Sequence, residues 1–430
     1  LGQVVALSSP AEIYDNFGDD AGTDSNTALI NKIFDGGAAT VKVVRVGSGG
    51  TKAAITIKDD ATSPVDAITL TAKYAGTRPL AVSIKDNLGD PTGKRDLIVY
   101  TGTKELTKVT FTKGTGEPEA VVAAINANPA SPVIAALVAS GSGKLEALNQ
   151  KAFTTVGASP TVTTNDYSAA LVALEADSWN VVCVDSNETA VHALLKSFIS
   201  RVTNAGLMGM AIASEPITVA LATRQAHAAA FNSENFIFPV NGFYAADGTL
   251  YDGFNAAAVI GGMVAAIPSN QSLTHAPIPG AFQVAGPLTN TEIEYTLQNG
   301  GLVISASGSG IVWIEQGINT LVTLSADQDA GWKKIRRTKT RYELIQRILD
   351  STEGIVGTVN NDSNGRQTFI AMANGVGQQM IAEGKLLSCE VSEDPANPAA
   401  GDAAWFVIEV VDLDSIEKVY ITYRFRFAEA

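Results

Sequence analysis

The sequence predicts an α/β core, an inserted antiparallel β-sandwich-like domain and an α+β C-terminal domain. Short alternating strands separated by Gly, Pro, Asp and Asn fill residues 47–157. Continuous apolar strands alternate with helices in residues 158–325, and two helices precede further strands in residues 326–430. The first pattern is typical of antiparallel sheets, and the second of a parallel sheet covered on both faces. Residues 1–46 are assigned to the core as its N-terminal part.

The N-terminal part is predicted to contain two helices and a strand. Ser9-Pro10-Ala11-Glu12 is a capping box with proline at the first helical position, and its helix is expected to end at Gly18. A second helix is predicted from about Ser25 to Phe34, closed by Gly36-Gly37. The alternating stretch Thr40–Val46 predicts a strand.

The inserted domain is predicted to consist mainly of strands. These are Ala53–Lys58, Ala67–Lys73, Leu80–Lys85, Asp96–Thr101 and Lys108–Thr112. A helix is predicted over Glu119–Asn126, after Pro118, and Val133–Ala139 is interpreted as another helix. The Ser/Thr/Gly-rich stretches at both ends are linkers, so the domain is interpreted as an insertion.

The core is predicted to alternate strands and helices after Tyr167. The strands are Trp179–Val184, Met208–Ala213 and Asn235–Val240, and the helices are Ser168–Glu175, Glu188–Ala205, Ile217–Phe231 and Asn255–Ala266. The longest apolar stretch, Ala256–Pro268, is too short to span a bilayer and predicts a core helix. A capped helix from Thr289 and a hairpin of Gly301–Ser305 with Ile311–Ile314 complete this part.

The C-terminal domain opens with the basic segment, Lys333–Arg341, in which six of nine residues are cationic. Thr340-Arg341-Tyr342-Glu343 forms a capping box for a helix ending at Gly354, with Tyr342, Ile345, Ile348 and Leu349 on one face. A helix over Gln367–Ala382 and strands over Leu386–Glu393, Trp405–Val411 and Lys418–Phe427 follow. The last strand interleaves aromatic and basic residues and could complete a neighbouring sheet edge.

Composition limits the classes of function. With 46% hydrophobic and 17% charged residues the chain is globular, and a net charge of −14 argues against general binding to nucleic acid or anionic membranes. The basic segment is therefore a solvated charge cluster, a docking site for an acidic protein surface or, least favoured, a nucleic-acid site. Cys183 and Cys389 are interpreted as buried free thiols. No signal peptide precedes the first helix, and the chain starts at Leu1, so missing upstream residues and an intracellular, reducing compartment are expected.

Motifs for catalysis are not found. Ser140-Gly141-Ser142-Gly143-Lys144 departs from a phosphate loop at its first glycine and at Leu145, and is interpreted as a flexible loop. His192 and His227 fall within predicted helices, whereas His275 lies in a loop without a nucleophile elbow or metal spacing. The acidic loop Asp247–Gly253 does not match an EF-hand and is interpreted as a surface turn. No catalytic residue, cofactor or metal site is assigned.

Scattered segments together resemble the contractile tail sheath proteins of phages, prophages and phage-tail-like bacteriocins. They are Ala72-Lys73-Tyr74-Ala75-Gly76-Thr77, the loop from Asn270 to Ile278, Leu288–Glu292, Gly300-Gly301, Gly317-Ile318-Asn319-Thr320, Ile335-Arg336-Arg337-Thr338 and the strand after Ile416-Glu417-Lys418. Arg78-Pro79 stands where the family commonly has Gly-Asn. The segments occur in family order along nearly the whole chain.

The resemblance implies a core of subtilisin-like topology without its chemistry. It also implies an outward insert, a C-terminal domain facing a tail tube, and a subunit that polymerises helically and contracts. Implied partners are further copies of the chain, the tube protein, and baseplate and tail terminator proteins, with no nucleic acid and no membrane insertion. The implied location is a virion tail or phage-tail-like particle assembled in the bacterial cytoplasm. The N-terminal arm of the family is expected to be absent from this sequence.

Two sets of site residues are hypotheses within that resemblance. Contact with an acidic tube is assigned to Lys333, Lys334, Arg336, Arg337, Lys339 and Arg341. Exchange of a strand between subunits is assigned to Tyr420, Thr422, Tyr423, Arg424, Phe425, Arg426 and Phe427. The alternatives are a hydrolase-like α/β enzyme with a binding β insertion, which needs an acid and a hydroxyl near His275, and a monomeric adhesion module.

Overall fold

The structure is a computed structural model, and it describes residues 2–17, 26–129, 131–138, 143–417 and 422. The chain divides into two compact units. The first unit is Leu1–Ile30 with Thr40–Ala176, and the second unit is Asn31–Ala39 with Asp177–Ala430. The domain boundaries that the sequence predicts, and the subtilisin-like topology, stay predictions.

In the N-terminal part of the chain, two short strands pair with each other, and two helices lie between them in the sequence. Its elements are β1 (Val4–Leu7), α1 (Ala11–Phe17), α2 (Asn26–Asp35) and β2 (Val41–Val44). Strands β1 and β2 are antiparallel, with Leu7 opposite Val41. The sequence predicted the helices and β2 but missed β1, because four residues are too few to show a period. The predicted helix boundaries at Gly18 and Ser25 lie outside the described residues.

The described part of residues 47–157, which we call the insert, forms two antiparallel sheets and one helix. Its elements are β3 (Ala54–Lys58), β4 (Asp66–Ala72), β5 (Leu80–Asp86), β6 (Lys94–Thr101), β7 (Lys104–Thr112), α3 (Glu117–Asn126), β8 (Val133–Leu137) and β9 (Leu148–Ala152). The strand orders are β3-β4-β8 and β7-β6-β5-β9. All five strands that the sequence predicted here are confirmed. Both sheets and α3 bury apolar side chains in one core, which includes Ile57, Leu70, Val82, Leu97 and Ile125.

Two predictions in the first unit need correction. The segment Val133–Ala139 is not a helix: its described residues form β8, with Val133 opposite Ala72 and Leu137 opposite Ile68 of β4. Its alanines favour a helix locally, but pairing with a neighbouring strand satisfies its backbone instead. Helix α4 (Thr164–Leu174) begins earlier than predicted, because Thr163 and Asp166 form a capping box.

The second unit contains a parallel sheet, as predicted. Strands β10 (Val181–Cys183), β11 (Met210–Ile212) and β12 (Phe236–Ile237) pair in that order, in parallel. Helices α5 (Thr189–Asn204) and α6 (Leu221–Phe231) connect them. Each element is shorter than the sequence predicts, because apolar runs extend beyond the residues that pair.

In the described residues, two antiparallel sheets and two helices, one of them buried, follow the parallel strands. The elements are β13 (Gly242–Ala245), β14 (Leu250–Tyr251), α7 (Gly253–Ala266), β15 (Ala281–Ala285), α8 (Asn290–Gln298), β16 (Ile304–Ala306) and β17 (Val312–Ile314). Helix α7 is the predicted core helix. Its backbone approaches residues 31–39 so closely that a Cβ on Gly262 would lie 2.2 Å from the carbonyl oxygen of Ile33. Among the described residues, no helix is long and apolar enough to cross a bilayer.

The chain after residue 330 forms two helices and a hairpin. These are α9 (Ile335–Thr352), α10 (Ser363–Ala382), β18 (Leu386–Glu393) and β19 (Phe406–Asp412). Their buried side chains form a separate cluster that includes Leu344, Ile348, Met380, Leu386 and Val391. Helix α9 starts five residues before Thr340, and on its predicted apolar face Leu349 is 48% exposed. Leu344, which was not predicted, takes the buried place.

Candidate interaction surface

The basic segment lies at the start of α9, where tertiary contacts fix it. A 3₁₀ turn, Ala330–Lys333, is capped by the Asp329 side chain, which accepts a hydrogen bond from the Gly331 amide at 2.9 Å. The Ile335 amide donates to the Gly317 carbonyl at 3.0 Å. Thr340 is not a helix cap: its hydroxyl donates to the Ser269 carbonyl at 2.8 Å inside the helix. These contacts override the local capping box.

Three cations of the segment face the stretch Asp412–Glu417, which we call the strap. The Lys334 ammonium lies 2.5 Å from Asp414 and 3.1 Å from Glu417. The Arg337 guanidinium lies 2.5 Å from Asp412 and 3.1 Å from Asp329. Arg336 is 3% exposed, and its Nη1 lies 3.7 Å from Asp414. Burial lowers the pKa of Lys334, but hydrogen bonds to Asp414 and Glu417 outweigh it and raise the pKa overall.

The other two paired cations contact the core of the second unit. The Lys339 ammonium donates to the carbonyl oxygens of Val264 and Ile267 at the C-terminal end of α7. Burial lowers the pKa of Lys339 to about 8, although Glu343 opposes this. Arg341 forms an ion pair with Glu234 at 2.8 Å and stacks 3.8 Å above the Trp332 ring. Both residues therefore stabilise the fold directly.

Lys333 differs from the other five cations. Its ammonium has no hydrogen-bond or ion-pair partner in the described part of the chain, and it lines a groove of about 550 Å³. Ile318, Leu321 and Ile416 also line this groove. Of the predicted tube-contact residues, Lys333 is thus the one whose charge is available to a partner without breaking a contact within the described chain.

The strap was not singled out from the sequence. Its carboxylates at positions 412, 414 and 417 match the cations of a segment about 80 positions earlier. Alternating acidic residues after the last predicted helix were a signal for this pairing, but the sequence could not show which cations they meet. Ser272, in the predicted loop after α7, also donates to Glu417 at 2.6 Å.

The outer edges of the hairpin β18–β19 are not paired with a further strand of the described residues. In the described residues these strands pair only with each other, with Cys389 opposite Val410. One face packs on α10, while Leu387 and Val411 are 62% and 51% exposed on the strands. The predicted exchange strand, Tyr420 to Phe427, lies outside the described residues except for Thr422, which is exposed. That hypothesis stays a prediction.

The histidines do not form a catalytic arrangement in the described structure. His275 is exposed and stacks on Trp313 with ring centroids 4.2 Å apart. Neither an acid nor a hydroxyl reaches its ring among the described residues. The His192 Nε2 donates to the Ser186 carbonyl, 2.8 Å away, and burial lowers the pKa of His192. His227 contacts Glu215 at 2.7 Å. The condition set for a hydrolase-like site is therefore not met there.

Other candidate sites are structural. The loop after β13 is a hairpin turn in which Asp247 accepts a hydrogen bond from the Thr249 amide at 2.9 Å. No cluster of His, Cys, Asp or Glu that could hold a metal occurs in the described ranges. Cys183 and Cys389 are free thiols; Cys389 is buried, as predicted, whereas Cys183 is only half-buried, and desolvation raises the pKa of its thiol to about 12. The glycine-rich loop at Ser140 lies outside the described residues up to residue 142.

Comparisons with known proteins give a consistent result. Residues 160–320 match the family model for the phage tail sheath protein central domain. The uncharacterized protein YqbK of Bacillus subtilis (strain 168) is 27% identical over 315 residues, covering 69% of this chain and 59% of that protein. The matched part thus spans less than two thirds of this curated relative.

Solved structures show the same fold. A sheath tail protein of Desulfitobacterium hafniense superposes with a TM-score of 0.73 at 22% identity, over 96% of this chain and 93% of that one. A sheath tail protein of Listeria innocua gives a TM-score of 0.62 at 19% identity, over 96% and 92% of the two chains. Together these findings show that residues 160–320 are similar to the phage tail sheath protein central domain and that the chain shares the fold of two sheath tail proteins.

Proposed function

We propose that this chain is a structural subunit of a contractile tail sheath, which polymerises helically around a tail tube and contracts to drive it through a cell envelope. The observation that carries the proposal is the match of residues 160–320 to the sheath central domain. The fold shared with two sheath tail proteins over 96% of the chain supports it. Proposed partners are further copies of the chain, the tube protein, and baseplate and terminator proteins, in a particle assembled in the bacterial cytoplasm.

The physical requirements of such a polymer are simple. One heterologous interface repeated without closure generates an open helix. The extended state must be metastable, so that contraction releases free energy as subunits repack. No nucleotide is required for this cycle. The hydrolase-like alternative has no observation in its favour, because His275 stacks on Trp313 and no acid reaches it among the described residues.

Contact with the tube is proposed to depend on the basic segment, and most directly on Lys333. The ammonium of Lys333 is unpaired in the described chain, whereas the other five cations have partners within it. Lys333→Glu should weaken binding to an acidic tube surface and reduce its dependence on salt, without unfolding the subunit.

The test of this contact compares Lys333→Glu with Lys52→Glu, a reversal at an exposed lysine of the first unit. Tube binding is measured by co-sedimentation between 0.05 and 0.5 M salt, chosen because screening shortens the Debye length from about 14 to about 4 Å. The hypothesis predicts weaker binding for Lys333→Glu only. Equal binding by both variants would remove Lys333 from the interface.

Exchange of a strand between subunits is proposed for residues 419–427. The outer edges of β18 and β19, which pair with no further strand of the described residues, are compatible with strand addition, which adds main-chain hydrogen bonds between chains. Deleting the residues after Lys418 should therefore abolish polymerisation while leaving the thermal unfolding of the subunit unchanged.

The direct test of the proposed function is negative-stain electron microscopy of the purified protein at rising concentration, with any preceding residues of the native protein included. Hollow striated tubes of uniform diameter are expected. Particles that stay monomeric at every concentration and salt, although the subunit is folded, would overturn the proposal.

A further inference from the structure

We propose that the strap, Asp412–Glu417, is a charge-held latch: ion pairs to the basic segment hold the chain from Leu413 to Glu417 on the second unit, and this stretch detaches as one segment when the ion pairs are broken. The latch itself is a property of the subunit. Its use during contraction rests on the proposed function.

The strap and the basic segment are complementary in charge. Each of the three strap carboxylates meets at least one cation of the basic segment. Asp412 meets Arg337 at 2.5 Å, Asp414 meets Lys334 at 2.5 Å, and Glu417 meets Lys334 at 3.1 Å. All are near the first turn of α9, so one short stretch of chain is held by several pairs that form and break together.

Arg336 is buried close to Asp414 of the strap. Its guanidinium is 3% exposed, and its Nε and Nη1 have no hydrogen-bond partner among the described residues. Asp414, at 3.7 Å, is the carboxylate paired with it. A buried cation without a nearby anion is unfavourable, so the strap supplies the charge that this site needs. Arg336 thus favours the attached strap.

The strap has few contacts other than its ion pairs. Ile416 is 89% exposed and adds little burial, whereas Leu413 is 37% exposed and is partly buried. The backbone is attached through the Leu413 amide, which donates to the Lys385 carbonyl at 3.3 Å. Apart from the Ser272 hydroxyl on Glu417, the polar side-chain contacts of the strap to neighbouring elements in the described structure are ionic. Charge therefore holds the strap in place, with a smaller apolar contribution from Leu413.

Detachment has a geometric consequence. The five strap residues after β19, Leu413–Glu417, span at most about 18 Å in extended conformation, so release of the strap lengthens the tether between β19 and the residues that follow by that order. A terminal segment bound to a neighbouring subunit could then remain bound while the subunits move relative to each other. The ion pairs would re-form on α9 if the strap returned.

The experiment places a nitroxide at position 416 through Ile416→Cys, because this side chain is almost fully exposed. A second protein carries the label at Leu387→Cys, on β18, as the control position. Cys389 is buried, and burial raises the pKa of the Cys183 thiol to about 12, so both native thiols react slowly. The measured quantity is the label mobility from the electron paramagnetic resonance line shape.

The test uses one protein that carries both Asp412→Asn and Asp414→Asn. It is compared with two control variants and with the unsubstituted strap in high salt. Asp412→Glu with Asp414→Glu keeps both charges, Asp402→Asn removes an exposed carboxylate elsewhere, and 1 M salt screens the pairs in the unsubstituted strap. The latch predicts a shift from a broad to a narrow line at position 416 for the Asn variant and in high salt. It predicts no shift for the other two variants or at position 387.

An unchanged line at position 416 in the Asn variant and in 1 M salt would overturn the latch. So would equal narrowing in the charge-keeping variant. Electron microscopy of the same samples separates the two proposals. Tubes without a mobility response contradict the latch alone, whereas a mobility response in a protein that never forms tubes contradicts the sheath proposal and leaves the latch standing.

Discussion

Two charge clusters of this chain differ in how far water reaches them. In the first unit Glu117 is fully buried and accepts hydrogen bonds from Arg95 at 2.7 Å, the Leu145 amide at 2.9 Å and the Gly114 amide at 3.2 Å. In the second unit the pairs between the basic segment and the strap are partly open, since the side chain of Asp414 is 44% exposed. The first cluster joins β6, α3 and the chain before β9, whereas the second joins the start of α9 to the strap.

This difference indicates two uses of charge. A buried, hydrogen-bonded pair is costly to break from one side, so it specifies a permanent arrangement. A partly open pair is weakened by salt and is replaceable by water, so it suits a contact that must change. We therefore expect substitutions in the first cluster to unfold the first unit, and substitutions in the second to free one segment.

The largest expected effect is at Glu117. Glu117→Gln leaves the buried Arg95 with only the exposed Asp86 as an anion, at 3.7 Å, and should lower the free energy of unfolding of the first unit by about 3–5 kcal/mol. Glu119→Gln, on the exposed side of the same helix, is the matched control and should cost less than about 0.5 kcal/mol. Hydrogen exchange of the β5–β7 amides measures both. Equal protection in the two variants would show that the buried pair does not hold the sheet.

Next in size is Lys339, the basic residue that caps α7. Lys339→Met leaves the Val264 and Ile267 carbonyls without their donor and should cost about 1–2 kcal/mol at pH 7. Lys333→Met, in the same segment but without a partner in the described chain, is the control. The four tryptophans, Trp179, Trp313, Trp332 and Trp405, all lie in the second unit, so their fluorescence follows its unfolding.

The pH dependence of this variant sharpens the test. The folded pKa of Lys339 is about 8, below its ordinary value of 10.5, so the unfolded state binds more protons between these values. Stability that depends on this group is therefore lost as the pH falls from 10.5 to 8 and gained as it rises. The difference in unfolding free energy between wild type and Lys339→Met should grow with pH over that window. A flat difference would contradict a buried ammonium.

The smallest expected effect is at Glu383, in a surface network. Hydrogen bonds from Arg347 and Lys385 lower the pKa of Glu383 to about 2, from 4.5. Its contribution is present above pH 4.5 and lost as the pH falls through 2. Because water reaches this pair, Glu383→Gln should cost only about 0.5–1 kcal/mol at pH 7. Tryptophan fluorescence in urea measures it against Glu353→Gln, at an exposed position; a cost that persists at pH 2 would contradict the ionic cause.

The sequence predicted elements whose signal is local. Alternation in the insert gave its five strands, and the apolar runs around Val182 and Ala211 gave the parallel sheet. It failed where distant contacts decide. The stretch from Val133 pairs with β4 although its alanines favour a helix, and Thr340 donates to Ser269 although it resembles a cap.

The candidate site shows the same limit. A run of six cations is visible in the sequence, but the carboxylates that pair with three of them, Asp412, Asp414 and Glu417, lie about 80 positions away. Local patterns carry no information on which of the chain's 44 acidic residues would meet them. The family resemblance, carried by motifs in a fixed order, predicted more about function than any single site residue did.

The central claim is that this chain is the repeating subunit of a contractile sheath, and a helical reconstruction by electron cryomicroscopy tests it most directly. Particles are imaged before and after contraction, with the fold of this chain fitted to each repeat. The account predicts one copy per helical repeat in both states, with the subunits moved relative to each other. A closed ring, or a particle in which this chain occupies no helical position, would contradict it.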